Sequence, residues 1–317
     1  MASTQSKNGW VHGLMFFTIF LVAFSFPVGA AITHALPSEV MMLIRFGMAS
    51  ALFAPYVFLK HGWVLPRFKT LMGYGLLSLP LVAFFYCMFA SLRYTTALNT
   101  GALYTTVPAM TAVAAYFINK SVSTKQRSIG LLLGTVGALW IVFRGDIHAL
   151  LTLNFNKGDL IFLVGCVFMG VYSPLVKRLY NQEPMEVMTF WVILMGTGVL
   201  LLMSWGELGR VAWLQVDLNV YLGLGYLAIF TTLFSFFVLQ LATVKIGATK
   251  VAAYGFLTPL MVVVLSILLG ESQFDWQFIP GMFLVVLALL LINIDTKSIF
   301  KAKDTGKIHD YKRAIKT

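Results

Sequence analysis

Residues Ala90–Ala115 read ASLRYTTALNTGALYTTVPAMTAVAA, and this stretch decides the fold. It is apolar enough for lipid, yet it carries Asn99, Thr100, Tyr104, Thr105, Thr106 and Thr111. A helix that met only hydrocarbon would gain nothing from so many polar groups, because each costs free energy there unless it finds a partner. The same skeleton returns as Leu241–Ile267, LATVKIGATKVAAYGFLTPLMVVVLSI. One constant shift carries Pro108 to Pro259, Ala97 to Ala248, Ala102 to Ala253, Ser121 to Ser272 and Gly130 to Gly281. A partly polar, proline-containing helix that recurs half a chain later points to an internally duplicated transporter.

The rest of the chain agrees. Of its 317 residues 59% are hydrophobic and 11% charged, and the mean hydropathy is +0.85. These values exclude an ordinary soluble domain and fit a polytopic all-α integral membrane protein. Lipid-exposed sheet edges and loops are excluded, since backbone polar groups must pair inside the bilayer. Apolar runs at 11–32, 39–59, 70–92, 97–118, 127–143, 158–176, 185–206, 219–241, 248–269 and 276–294 predict ten transmembrane helices. The first run is long enough to span and has a counterpart in the second half, so it is expected to remain as a span, not to be cleaved as a signal peptide.

The formal charge of +11 does not indicate nucleic acid, because the charges lie in the connections and in the last segment. Ten spans put eighteen of the 23 Lys and Arg residues on one side and only Arg93, Arg144, Lys157 and Arg210 on the other, with Arg45 inside a span. By the positive-inside rule both termini are expected in the cytoplasm, with the protein in the inner membrane. Residues 1–150 and 151–294 form two five-helix repeats, followed by a basic cytoplasmic tail, 295–317, suited to anionic lipid. Pro37-Ser-Glu-Val-Met41 matches Pro184-Met-Glu-Val-Met188, and Gly73 and Gly75 match Gly223 and Gly225. Five spans is an odd number, so the second repeat enters the membrane from the opposite side. Inverted repeats of this kind enclose the sites of secondary transporters.

Pro37, Leu43-Ile44-Arg45-Phe46, Ala49, Ala90, Leu92, Tyr94-Thr95-Thr96-Ala97, Ala102-Leu103, Pro108 and Thr111-Ala112, with Gly270-Glu271 and Gly281, resemble the EamA-type branch of the drug/metabolite transporter superfamily. The resemblance covers essentially the whole chain. It implies a central cavity lined by spans one, three, four, six, eight and nine, with five and ten outside. It also implies export or exchange of amino acids and related metabolites. The chain departs from the family at Phe24-Ser25, where a Trp-Gly pair is common, and at Asn119-Lys120, where a Gly-Glu pair is expected.

The candidate substrate-binding residues are Ser25, Arg45, Tyr86, Asn99, Thr100, Tyr104, Tyr172, Ser235, Tyr254 and Lys250. Arg45 lies six residues beyond Glu39, roughly 9 Å deep at 1.5 Å per residue. It either snorkels or ties helices together, or it binds a substrate carboxylate. Asn99 and Lys250 are equivalent by the repeat and belong near opposite mouths of the cavity, as gates or substrate contacts, although Lys250 also fits a plain cytoplasmic positive charge. Asn99, Ala102, Thr106, Ala109 and Val113 share one helical face, read as packing. Thr100, Tyr104, Pro108 and Thr111 form the neighbouring stripe, read as facing the cavity. Phe84, Phe85, Phe234, Phe236 and Phe237 are expected to meet lipid or to pack.

No acidic residue lies near a span centre, and the five histidines fall in loops or at interfaces, which disfavours a carboxylate- or histidine-coupled proton antiporter. Cys87 and Cys166 stand in apolar runs without metal-ligand spacing, so no metal or cofactor is expected. The expected partners are a small-molecule substrate and the bilayer, with the chain a monomer or homodimer. The alternatives are a non-transporting membrane sensor and a membrane-embedded enzyme, the latter lacking any deep nucleophile–base pair.

Overall fold

A computed structural model describes residues 9–62, 65–121, 123–146, 148, 156–268 and 275–293. Lys7, the boundary at 150/151, Gly270-Glu271 with Ser272, and the tail 295–317 lie outside the described residues. Every regular element among the described residues is helical. Numbered after the predicted spans, the helices are one (Gly9–Ile32), two (Ser38–His61), three (Phe68–Ser91), four (Ala97–Tyr104 with Val107–Asn119), five (Lys125–Val142), six (Lys157–Leu179) and seven (Met185–Leu208). Helix eight runs as Leu218–Tyr226, Leu227–Phe234 and Ser235–Ile246, helix nine from Ala248 to Leu268, and helix ten is Phe278–Asn293.

Eight of these are long and apolar enough to cross a membrane. Helix five falls short because it opens on Lys125, Gln126 and Arg127, and helix ten because it has only 16 residues. The outer surface is apolar: Phe16, Phe17, Leu132, Leu202 and Leu290 all lie exposed. Water would not tolerate such a surface, whereas hydrocarbon matches it.

Helices five and ten pair through glycine. A Cβ on Gly137 would stand 2.8 Å from the Gly281 carbonyl oxygen, and one on Gly281 would stand 2.7 Å from that of Gly137. Small residues let the two backbones touch, which is how helices associate where burial offers no gain. Gln126 Nε2 donates to the Leu291 carbonyl at 2.8 Å, and Trp140 Nε1 to that of Gln277 at 2.9 Å.

Helices four and nine are discontinuous near their prolines. Helix four breaks at Thr105–Thr106, and Pro108 enters the first turn of the second piece, where its missing N–H costs least. Helix nine tightens to a 3₁₀ turn at Tyr254–Phe256, just before Pro259. The break corrects the packing stripe expected on helix four. Ala109 and Val113 are exposed, because the helical phase set by Asn99 does not carry across Thr105–Thr106.

Candidate functional site

Helices one, three, four, six, eight and nine meet around a cavity that Arg45 of helix two also lines. About 60 Å³ of it is open to the centre of a water-sized sphere. One water needs about 10–15 Å³ on this measure, so the space holds a few waters, far below the hundreds of Å³ of a ligand pocket. The wall is mainly Met15, Phe84, Phe85, Met88, Val107 and Phe236. Its polar groups include Ser25, Arg45, Tyr104, Thr111, Thr231 and Ser235. Phe84, Phe85 and Phe236 therefore face the cavity, against the expectation that they only pack or meet lipid.

Arg45 is 1% exposed and does not snorkel. Its Nε donates to Thr232 Oγ1 at 2.6 Å, and its Nη2 donates to Thr231 Oγ1 at 2.8 Å and to the Thr231 carbonyl at 3.3 Å. The guanidinium carbon sits 4.1 Å from the centre of the Phe85 ring. Nη1 is buried without a hydrogen-bond partner, as is Thr111 Oγ1 on the same cavity wall.

Helix eight makes this grip by widening. Leu227–Phe234 is a π-helix, and Ser235 Oγ reaches back five residues to the Phe230 carbonyl at 2.7 Å. The wider turn presents the neighbouring side chains Thr231 and Thr232 to one guanidinium. Such π segments recur at functional sites. The adjacent Thr231-Thr232 pair is the only trace of it in the sequence.

The remaining candidates lie elsewhere. Tyr86 lines an outer groove with Leu79 and Phe168. Thr100 is fully buried and its Oγ1 donates to the Thr96 carbonyl at 3.2 Å. Tyr172 is fully buried beside the cavity, and its hydroxyl accepts from Gln240 Nε2 at 2.8 Å. Gln240 Oε1 in turn accepts from Thr189 Oγ1 at 2.6 Å, so one amide joins helices six, seven and eight. Gln240 carries no signal in the sequence, because a lone amide in an apolar run forms no pattern.

Asn99, Tyr254 and Lys250 sit at the two ends of the bundle. Asn99 Nδ2 lies 3.3 Å from Asp159 Oδ1, which also accepts from Thr95 Oγ1. Asp159 is 1% exposed and closes a capping box with Asn156 at the start of helix six. At the other end, Tyr254 hydrogen-bonds His12 Nδ1, while Lys250 Nζ donates to the Asn293 carbonyl at 3.2 Å. The shift that carries Pro37 to Pro184 also carries His12 to Asp159 and Pro27 to Pro174. His12 and Asp159 thus occupy matching places in the two halves, as Asn99 and Lys250 do, whereas Tyr254, the partner of His12, falls on Leu103 and not on Asn99. Carrying that shift back towards the first residue was the signal that would have found them.

The EamA-like transporter family matches the sequence twice, over residues 9–143 and 156–294. The chain belongs to the EamA-like transporter family. An uncharacterized transporter of Bacillus subtilis strain 168, YyaM, is 25% identical over 248 residues, covering 78% of this chain and 81% of its own. An uncharacterized transporter of Archaeoglobus fulgidus is 26% identical over 263 residues, covering 82% and 89%. A solved crystal structure superposes with a TM-score of 0.71 at 16% identity, over 88% of this chain and 94% of that one, and so shares the fold. This EamA-like chain is a multi-pass membrane transporter.

Proposed function

We propose that the protein is a secondary carrier, built as two inverted five-helix repeats, that exports or exchanges a small polar metabolite by alternating access. An amino acid or a related compound is the favoured class. Its ten helices cross the inner membrane with both termini in the cytoplasm, and it acts as a monomer or homodimer. The observation that carries the reading is the pair of end clusters. His12 and Asp159 stand at matching repeat positions, and so do Lys250 and Asn99, with one member of each pair at either end of the bundle. Closing both leaves room for only a few waters, so a solute enters when one of them opens. The discontinuous helices four and nine supply the pivots such a motion needs. Ser25, Arg45, Tyr104 and Ser235 are the substrate contacts we favour, and Asn99 and Lys250 belong to the gates.

Purified protein in liposomes should give saturable counterflow of at least one member of a broad amino-acid and metabolite panel. Correctly inserted protein that moves none of them rules the carrier reading out. Reporter fusions that place the two ends on different sides of the membrane rule out the inverted pair.

A further inference from the structure

Arg45 narrows the class of solute from amino acids and related compounds to the related carboxylates alone, and the narrowing rests on the carrier reading above. We infer that the solute is a small organic anion, one carboxylate on an apolar body, without an ammonium group. The guanidinium keeps its charge at any working pH. Among the described residues no carboxylate pairs with it, and no Asp, Glu or Lys lines the cavity. Its neighbours are neutral: two threonine hydroxyls, one carbonyl and the Phe85 face. A buried cation without a counter-charge is costly, and an anionic ligand removes that cost. Two donors stand ready, since Arg45 Nη1 and Thr111 Oγ1 are buried without partners. Arginine binds a carboxylate through a planar fork, and a hydroxyl donor nearby adds to the hold.

The rest of the wall fits an apolar body, with Phe84, Phe85, Met88, Val107 and Phe236 on it. Methionine repacks readily, so Met15, Met88 and Met169 can yield to one. An ammonium group finds little there. Ser25, Thr18 and Ser235 spend their protons on carbonyls of their own helix and offer only neutral lone pairs. Neutral oxygens alone do not offset the dehydration of a cation. A zwitterion would also leave the net charge of the cavity at plus one.

The test uses the full chain and five probes: 3-phenylpropionate, phenylalanine, phenethylamine, 3-phenylpropanol and chloride. Thermal unfolding in detergent and competition for counterflow in liposomes are read for each. 3-Phenylpropionate should raise the midpoint and compete at about tenfold lower concentration than any other probe. Arg45→Gln should abolish that response. Because Arg45→Gln also removes a tie between helices two and eight, Thr111→Val is the second variant. It keeps the side-chain shape and should weaken the response to 3-phenylpropionate about threefold to tenfold. If phenylalanine, the amine, the alcohol or chloride matches 3-phenylpropionate, or if no probe shifts the midpoint, the anion inference is overturned. Counterflow of some other solute would then still uphold the carrier.

Discussion

The Tyr254 hydroxyl meets Nδ1 of His12 across 242 positions of sequence, and this bond ties the 3₁₀ turn of helix nine to the first turns of helix one. On the proposed carrier cycle it is a polar latch at one end of the cavity. Tyr254→Phe removes it without changing the ring. The loss of one hydrogen bond, about 1 kcal/mol, should favour opening of that end by about fivefold. Thiol labelling of Ser25→Cys, in a background lacking Cys87 and Cys166, checks this, with the reagent applied from the side of the membrane that holds helix one's start.

Asp159→Asn should loosen the opposite end. The carboxylate accepts from Thr95 and Asn99 and caps helix six through Asn156, and charge-assisted bonds of this kind are roughly twice as strong as neutral ones. The same reporter at Ser25 should then label faster from the other face. A mutant that labels faster from both faces has lost its fold and not its latch, which a thermal unfolding curve will show.

Gln240→Leu should cost stability more than transport specificity. Tyr172 would lose the amide that its hydroxyl accepts from, at about 1–3 kcal/mol, while Thr189 would keep its bond to the Met185 carbonyl. The expected result is a lower unfolding midpoint with the order of preferred solutes unchanged in counterflow. A changed order would place Tyr172 in the solute path.

Tyr104→Leu and Thr100→Leu should part company. Tyr104 lines the cavity, so its loss should impair transport in well-folded protein. Thr100 is fully buried away from it, and the bulkier leucine should overpack the first piece of helix four, at about 1–3 kcal/mol. Folding yield and counterflow measured on both mutants separate the two cases. Read as one helical stripe, the two would have failed alike.

That stripe shows where sequence reasoning stopped. The place of Arg45 inside a long apolar helix, the polar character of helices four and nine and the repeat itself follow from composition and spacing. The prolines at 108 and 259 announce a disturbed helix, but not that Thr105–Thr106 resets the phase and turns Ala109 outward. The grip on Arg45 depends on a π turn at Leu227–Phe234, which no apolar periodicity marks. Asp159 and His12 look like interfacial residues of no special interest. Their roles depend on partners about sixty and more than two hundred residues away.

The contact of Gly137 with Gly281 has one more consequence. Backbones that meet at Gly137 and Gly281, with Leu284 and Ile141 packed against the same two glycines, leave no gap between them, so this pair tilts only by coming apart. Spectroscopic labels on Leu132 and Leu290, both exposed on that pair, would report one fixed length while labels elsewhere on the bundle change theirs. The molecule therefore carries its own ruler, against which every other displacement in the working cycle can be scaled.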